Sequence, residues 1–159
     1  GHETTTNLIA NAVVSLLEHP AEHARLRAAP GLLASAVEEF LRYQSPNQLG
    51  NRAAVAEATV GGVTMPPGTL VTLGIGAANR DPAQFPDPDR LDLARAPNRH
   101  LAFITGIHAC AGMWLARMEG RVAIGRLVAR FERLRAAGKP MRARRARFRV
   151  VSTFPVSLE

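Results

Sequence analysis

The stretch from about Asn79 to Ala109 constrains the fold most. It shows little periodicity and a high density of Pro, Asp and Arg, so no regular helix or strand runs through it. An irregular connection of about thirty residues is uncommon inside a compact domain unless it is functional or disordered. Phe85, Leu91, Leu93, Leu101, Phe103 and Ile104 are spread along it, and disordered segments lack apolar anchors of that kind. The stretch reads as a structured loop with a purpose.

Regular elements flank it. Ile9, Ala12, Val13, Leu16 and Leu17 recur at spacings of three and four, which predicts a helix over 4–18 stopped by His19-Pro20. A short helix over 21–29 closes at Pro30-Gly31, and another over 32–44, with Leu33, Val37, Phe40 and Leu41 on one face, ends at Ser45-Pro46. Asn51 to Leu73 is rich in Val and Thr and broken by Gly61-Gly62 and Pro66-Pro67-Gly68, the texture of short strands with tight turns. After the loop a long helix is predicted over 111–135, then one or two strands between Arg142 and Leu158. The expected fold is mostly α with a minor β part, built as a single domain over 1–159. The sequence opens at Gly1 without an initiator Met and runs at once into a helical pattern. A helix that opens with no approach segment looks cut, so a fragment is expected.

Composition narrows the setting. A single cysteine excludes an internal disulfide and fits a reducing compartment. There is no apolar run of about 20 residues and no basic-then-apolar leader, so the expected location is cytoplasmic, with no membrane partner. The formal net charge of +7 invites a nucleic-acid reading, and the densest cluster is Arg142, Arg144, Arg145, Arg147 and Arg149. It carries one aromatic, Phe148, and no zinc-finger, RNA-recognition or helix-turn-helix signature. A solvated arginine-rich strand is the plainer reading, a docking face for an acidic protein the next, and no nucleic-acid partner is expected.

The one thiol lies at the end of the structured loop, immediately before the long helix. Backbone N–H groups at a helix N-terminus favour negative charge and so stabilise a thiolate. Gly106 and Gly112 remove side chains on both sides of Cys110, which lets a bulky planar group approach the backbone. A lone cysteine is most often a small buried hydrophobe. As a nucleophile it would want a His/Asn or His/Asp base partner, and no such signature surrounds it. Zinc would want three or four ligands. A haem iron can be held by one thiolate.

Phe103-Ile104-Thr105-Gly106-Ile107-His108-Ala109-Cys110-Ala111-Gly112 resembles the haem-ligand loop of the cytochrome P-450 family, F-G-x-G-x-H/R-x-C-x-G. Leu115-Ala116-Arg117-Met118-Glu119 resembles the L-A-R-x-E continuation of bacterial members. Ile104 departs from the family's small or polar residue, and Met113-Trp114 replaces a common Ala-Pro. Other segments agree in order. Glu39-Phe40-Leu41-Arg42 matches E-x-x-R, with the two side chains on one helical face. Asn79-Arg80-Asp81-Pro82 and Phe85-Pro86-Asp87-Pro88-Asp89-Arg90-Leu91 resemble the proline-rich meander, Gly1-His2-Glu3-Thr4-Thr5 resembles A/G-G-x-D/E-T-T, and the end resembles the family's last strands.

The resemblance implies the C-terminal haem-binding part of the cytochrome P-450 fold, in a family whose members are more than twice as long. It implies haem b with Cys110 as the iron ligand, packed by Phe103, Gly106 and Gly112. Arg52, His108 and His100 are the implied partners of the haem carboxylates. It implies Glu3 as the acid and Thr4 as the hydroxyl of a proton relay. It implies an ion-pair network of Glu39 and Arg42 with a third member, for which Arg90 and Arg95 both qualify. The implied reaction is monooxygenation of a small organic substrate, with electrons from a ferredoxin-type donor. The alternative is a degenerate module kept for haem binding or recruitment without catalysis, and Ile104 and Trp114 are the residues that favour it.

Overall fold

A computed structural model describes residues 2–159. Gly1, the head of the Gly-His-Glu-Thr-Thr segment, lies outside the described residues. Helices α1 (His2–Glu18), α2 (Pro20–Ala28), α3 (Leu33–Tyr43) and α5 (Met113–Arg130) make the body, with a single turn α4 at Ile75–Ala78. Their facing apolar positions form one core: Leu8, Ala12 and Leu16 of α1, Val37 and Phe40 of α3, and Ile124 and Val128 of α5. Gly120 lets these three helices approach closely, because a Cβ there would stand 3.1 Å from Leu8 Cδ2 and 3.4 Å from Val37 Cγ1. No described helix is long and apolar enough to cross a membrane.

The strands form four antiparallel pairs among the described residues. β1 (Leu49–Ala53) pairs with β4 (Leu70–Gly74), and β2 (Ala58–Val60) pairs with β3 (Val63–Met65). Gly61 and Gly62 join the latter pair with φ of +57° and +80°. Two positive φ values are what a two-residue type I′ hairpin needs, and glycine takes them without steric cost. β5 (Leu134–Ala136) pairs with β8 (Val156–Leu158), and β6 (Met141–Arg142) with β7 (Val151–Thr153).

Buried Asn7 and Asn11 tie α1 to the C-terminal strands. Asn7 Oδ1 accepts the Val151 amide at 3.1 Å; Asn11 Nδ2 donates to the Arg149 carbonyl at 2.9 Å, and its Oδ1 accepts from Arg142 Nη1 at 2.9 Å. The arginine-rich tail is thus not one solvated face. Arg142 and Arg149 turn inward, and burial pulls the pKa of both down, whereas Arg144, Arg145 and Arg147 are exposed.

The long helix is shorter than its pattern suggests, running over 113–130 rather than 111–135. Arg27 Nη1, from α2, donates to the Val128 and Phe131 carbonyls at 2.8 and 2.6 Å, so a distant side chain satisfies the acceptors that a further turn would have used. Leu134 is then buried in a strand.

Between α4 and the turn at Gly106–His108 the chain has no regular element. Side chains from α3 hold it instead. Glu39 and Arg42 are 0% and 1% exposed and pair bidentately, Nε to Oε2 and Nη2 to Oε1, both at 2.8 Å. Arg42 also donates to the carbonyls of Asn79, Pro88 and Arg90. Glu39 accepts from the Asp92 amide, Asn98 Nδ2 and Arg95 Nε. The third charged member of the network is therefore Arg95, at 3.2 Å from Glu39 Oε1. Arg90 enters only through its backbone carbonyl, which accepts from both Arg42 and Arg95.

Candidate functional site

Cys110 closes the irregular loop three residues before α5. Its amide donates to the Phe103 carbonyl at 3.0 Å, its carbonyl accepts from the Met113 amide at 3.2 Å, and the Ala109 amide bonds the Gly106 carbonyl. The loop thus doubles back on itself and presents an exposed thiol. Gly112 is the N-cap of α5, whose first turn carries no acidic side chain. The partial positive charge of that helix end is left to act on whatever anion stands before it.

The thiol lines a cleft of about 1050 Å³ bounded by α1, β1, the loop, α5 and the arginine-rich tail. Volumes of about 300–1,000 Å³ suit cofactors and drug-sized ligands. Its walls are largely apolar, with Phe103, Leu115 and Met118 among them; Arg52 and Arg147 are its cations, and His2 and His108 also line it. A Cβ added at Gly112 would meet nothing within 4 Å, so the backbone beside the sulfur is bare. No group of three His, Cys, Asp or Glu side chains among the described residues could hold a bare metal ion. One soft donor, bare backbone beside it, apolar walls and cations for carboxylates together suit a haem.

The residues singled out in the sequence are placed as follows. Cys110, His108, Arg52, Phe103, Gly112 and Thr4 all line the cleft. Gly106 does not; it takes φ of +73° at the start of the turn before Cys110, which explains a glycine there on backbone grounds. His100 is also absent from the walls. Its Nδ1 accepts the Ala102 amide and its Nε2 meets Glu38 Oε2 at 3.1 Å, so both ring nitrogens are engaged within the protein. Glu3 sits outside the walls, half exposed, with its Oε1 2.7 Å from Arg145 Nη1. Arg147, grouped in the sequence with the rest of its cluster, also lines the wall, as do His2 and Glu119, which no motif assigned to a site.

Ile104, the loop's main departure, has φ of +57°. A β-branched side chain in that region is a genuine outlier and costs on the order of 1–3 kcal/mol. Ile104→Gly removes that strain but adds roughly 0.5–1 kcal/mol of unfolded-chain entropy. A net gain of about 1 kcal/mol is expected, read as a melting temperature higher by about 2–4 °C. Ile104→Val, which keeps the β-branch, should give no such gain; equal effects from the two would show that strain at this residue is not the cause.

The geometry agrees with what the chain resembles. The cytochrome P450 family model matches residues 31–152. The chain is 52% identical over 141 residues to cytochrome P450 107B1 of Saccharopolyspora erythraea, covering 88% of this chain and 35% of that protein. It is 53% identical over 130 residues to the vitamin D(3) 25-hydroxylase of Pseudonocardia autotrophica, covering 81% of this chain and 32% of that one. Among solved structures, P450BioI in complex with an acyl carrier protein ligated to hexadec-9Z-enoic acid superposes with a TM-score of 0.97 at 45% identity, over 99% of this chain and 41% of that one. The chain thus spans about a third to two fifths of these relatives. A match across the meander, the ligand loop and α5, joined to a fold that superposes over nearly the whole chain, makes this chain a member of the cytochrome P450 family.

Proposed function

We propose that this chain is the C-terminal, haem-binding part of a haem-thiolate monooxygenase, acting in the cytoplasm, with Cys110 as the iron ligand. The observation that carries the reading is the exposed Cys110 thiol at the start of α5, on the wall of a large apolar cleft that also holds Thr4. Haem, when bound, supplies the redox chemistry by which one atom of dioxygen enters an organic substrate and the other leaves as water.

The chain's own residues supply ligand, charge and proton path. Cys110 would supply the sulfur ligand, at the N-terminal end of α5 where backbone N–H groups favour negative charge. Arg52 and His108 on the cleft wall are the partners for the haem carboxylates, and Arg147 is placed to join them. Thr4 lines the cleft, while Glu3 next to it stands toward solvent against Arg145. In that arrangement Glu3 takes protons from bulk water and Thr4 delivers them, directly or through one water. Arg145 holds the Glu3 carboxyl in place between transfers. Two successive one-electron deliveries come from a separate ferredoxin-type protein, whose acidic surface suits a chain of net charge +7.

The test is the absorption spectrum of the reduced, haem-loaded protein under carbon monoxide. A strongly red-shifted Soret band is expected, because an anionic sulfur ligand would donate more charge to the iron than a neutral ligand would. Haem bound with an ordinary band would overturn the monooxygenase reading and favour the module without catalysis.

A further inference from the structure

One carboxylate beside the cleft has no place in the Glu39 network. Glu38, the neighbour of Glu39 on α3, accepts from Arg117 Nε and Nη2 at 2.7 and 2.8 Å and from His100 Nε2 at 3.1 Å. Burial pushes its carboxyl up, but the hydrogen bonds from His100 and Arg117 outweigh that and hold it at about 2. His100 Nδ1 accepts the Ala102 amide, which leaves Nε2 as the nitrogen that donates to Glu38.

Both partners of Glu38 bear on Phe103. The Arg117 guanidinium lies over the Phe103 ring, 4.6 Å from its centroid, and the His100 ring is tilted against it at 6.0 Å. Phe103 lines the cleft and its carbonyl accepts the Cys110 amide. Arg117 belongs to the second turn of the helix that follows Cys110, and His100 to the loop that precedes it. A single carboxylate on α3 therefore grips the ligand loop from both of its ends. Arg117 also lies 5.2 Å from the Trp114 ring, which ties the second departure from the family pattern to the same clamp.

We propose that Glu38 is a positioning residue for Cys110, acting through Arg117 and His100 to lock Phe103 and the amide–carbonyl bond that fixes the sulfur. The proposal rests on the haem-thiolate reading only where iron ligation is measured. Glu38→Gln removes the charge that both sides of the clamp share, Arg117→Gln removes one side, and both leave the Glu39–Arg42 network in place, so one can report if the other fails to fold.

Two measurements on the haem-loaded full chain decide it. Amide hydrogen exchange at Cys110 should quicken about tenfold in either variant, because local opening of the loop becomes easier once the clamp is lost, while the α1 amides of Ala12 and Leu16 keep their protection. The decay of the red-shifted carbon monoxide band to an ordinary one should quicken by a similar factor, and the double variant should go no further than the singles. Unchanged exchange at Cys110, or equal acceleration at Cys110 and Ala12, would overturn the proposal and mark Glu38 as ordinary scaffold. If the unsubstituted protein shows no red-shifted band, the haem-thiolate reading fails instead, and the exchange rates still decide the role of Glu38.

Discussion

Arg42→Ala should cost about 3–5 kcal/mol, because it removes one partner of a fully buried ion pair and leaves the other charge behind. Arg42 is 1% exposed and Glu39 0%, so water cannot fill the gap without opening the core. Beyond the pair, the substitution strips donors from the carbonyls of Asn79, Pro88 and Arg90, and each buried acceptor left bare adds about 1–3 kcal/mol if nothing relaxes. Arg95 still reaches Glu39 and keeps the carboxylate partly compensated, which holds the expected loss to the range above. For a domain of this size that is a melting temperature lower by roughly 6–20 °C, a large share of a total stability of about 5–15 kcal/mol. The failure should also be local before it is global. Hydrogen exchange across 79–98 should rise while the α1 core keeps its protection, since the meander has no backbone ladder of its own. Arg42→Lys keeps the charge but not the planar fork, and should recover only part of the loss. A variant Arg42→Ala that melts within 2 °C of the parent protein would show that the meander is held by something other than this network.

The same network shows what sequence can and cannot convey. The spacing of Glu39 and Arg42 puts the two on one helical face, but nothing in an E-x-x-R pattern says whether that face meets water or a core. The third partner was open between Arg90 and Arg95 because the meander has no period from which side-chain direction could be read. The structure gives Arg95 the charge and Arg90 only a carbonyl. The resemblance offers His100 as a partner of the haem carboxylates, yet its side-chain partner in the structure is Glu38, 62 residues away along the chain. The early end of α5 has the same origin, a cap supplied by Arg27 from α2. Elements with a period were legible: three helices lie within two residues of their expected limits, and the Gly61-Gly62 turn falls between two strands. Cys110, Phe103, His108, Gly112 and Arg52 meet at one cleft because their pattern was informative as a whole. Arg147 reaches it through tertiary packing alone.

Cys110→Ser should abolish the red-shifted carbon monoxide band outright while leaving the fold nearly untouched. The thiol is exposed, and its place in the loop is fixed by the backbone bonds from Cys110 to Phe103 and Met113, which serine can make equally well. Exposed substitutions of this kind usually stay within about 0.5 kcal/mol, so the melting temperature of the haem-free chain should move by no more than about 2 °C. The chemistry differs far more. A free thiol ionises near pH 8.5, and a helix N-terminus can bring that into the physiological range. A serine hydroxyl starts so much higher that the same helix end cannot ionise it, and a neutral oxygen gives the iron little charge. Haem should therefore be retained less tightly and, where retained, give an ordinary band. The contrast between an unmoved melting temperature and a lost band separates ligation from folding, which a truncation or a core substitution could not do. A red-shifted band that survives in Cys110→Ser would remove Cys110 from the iron.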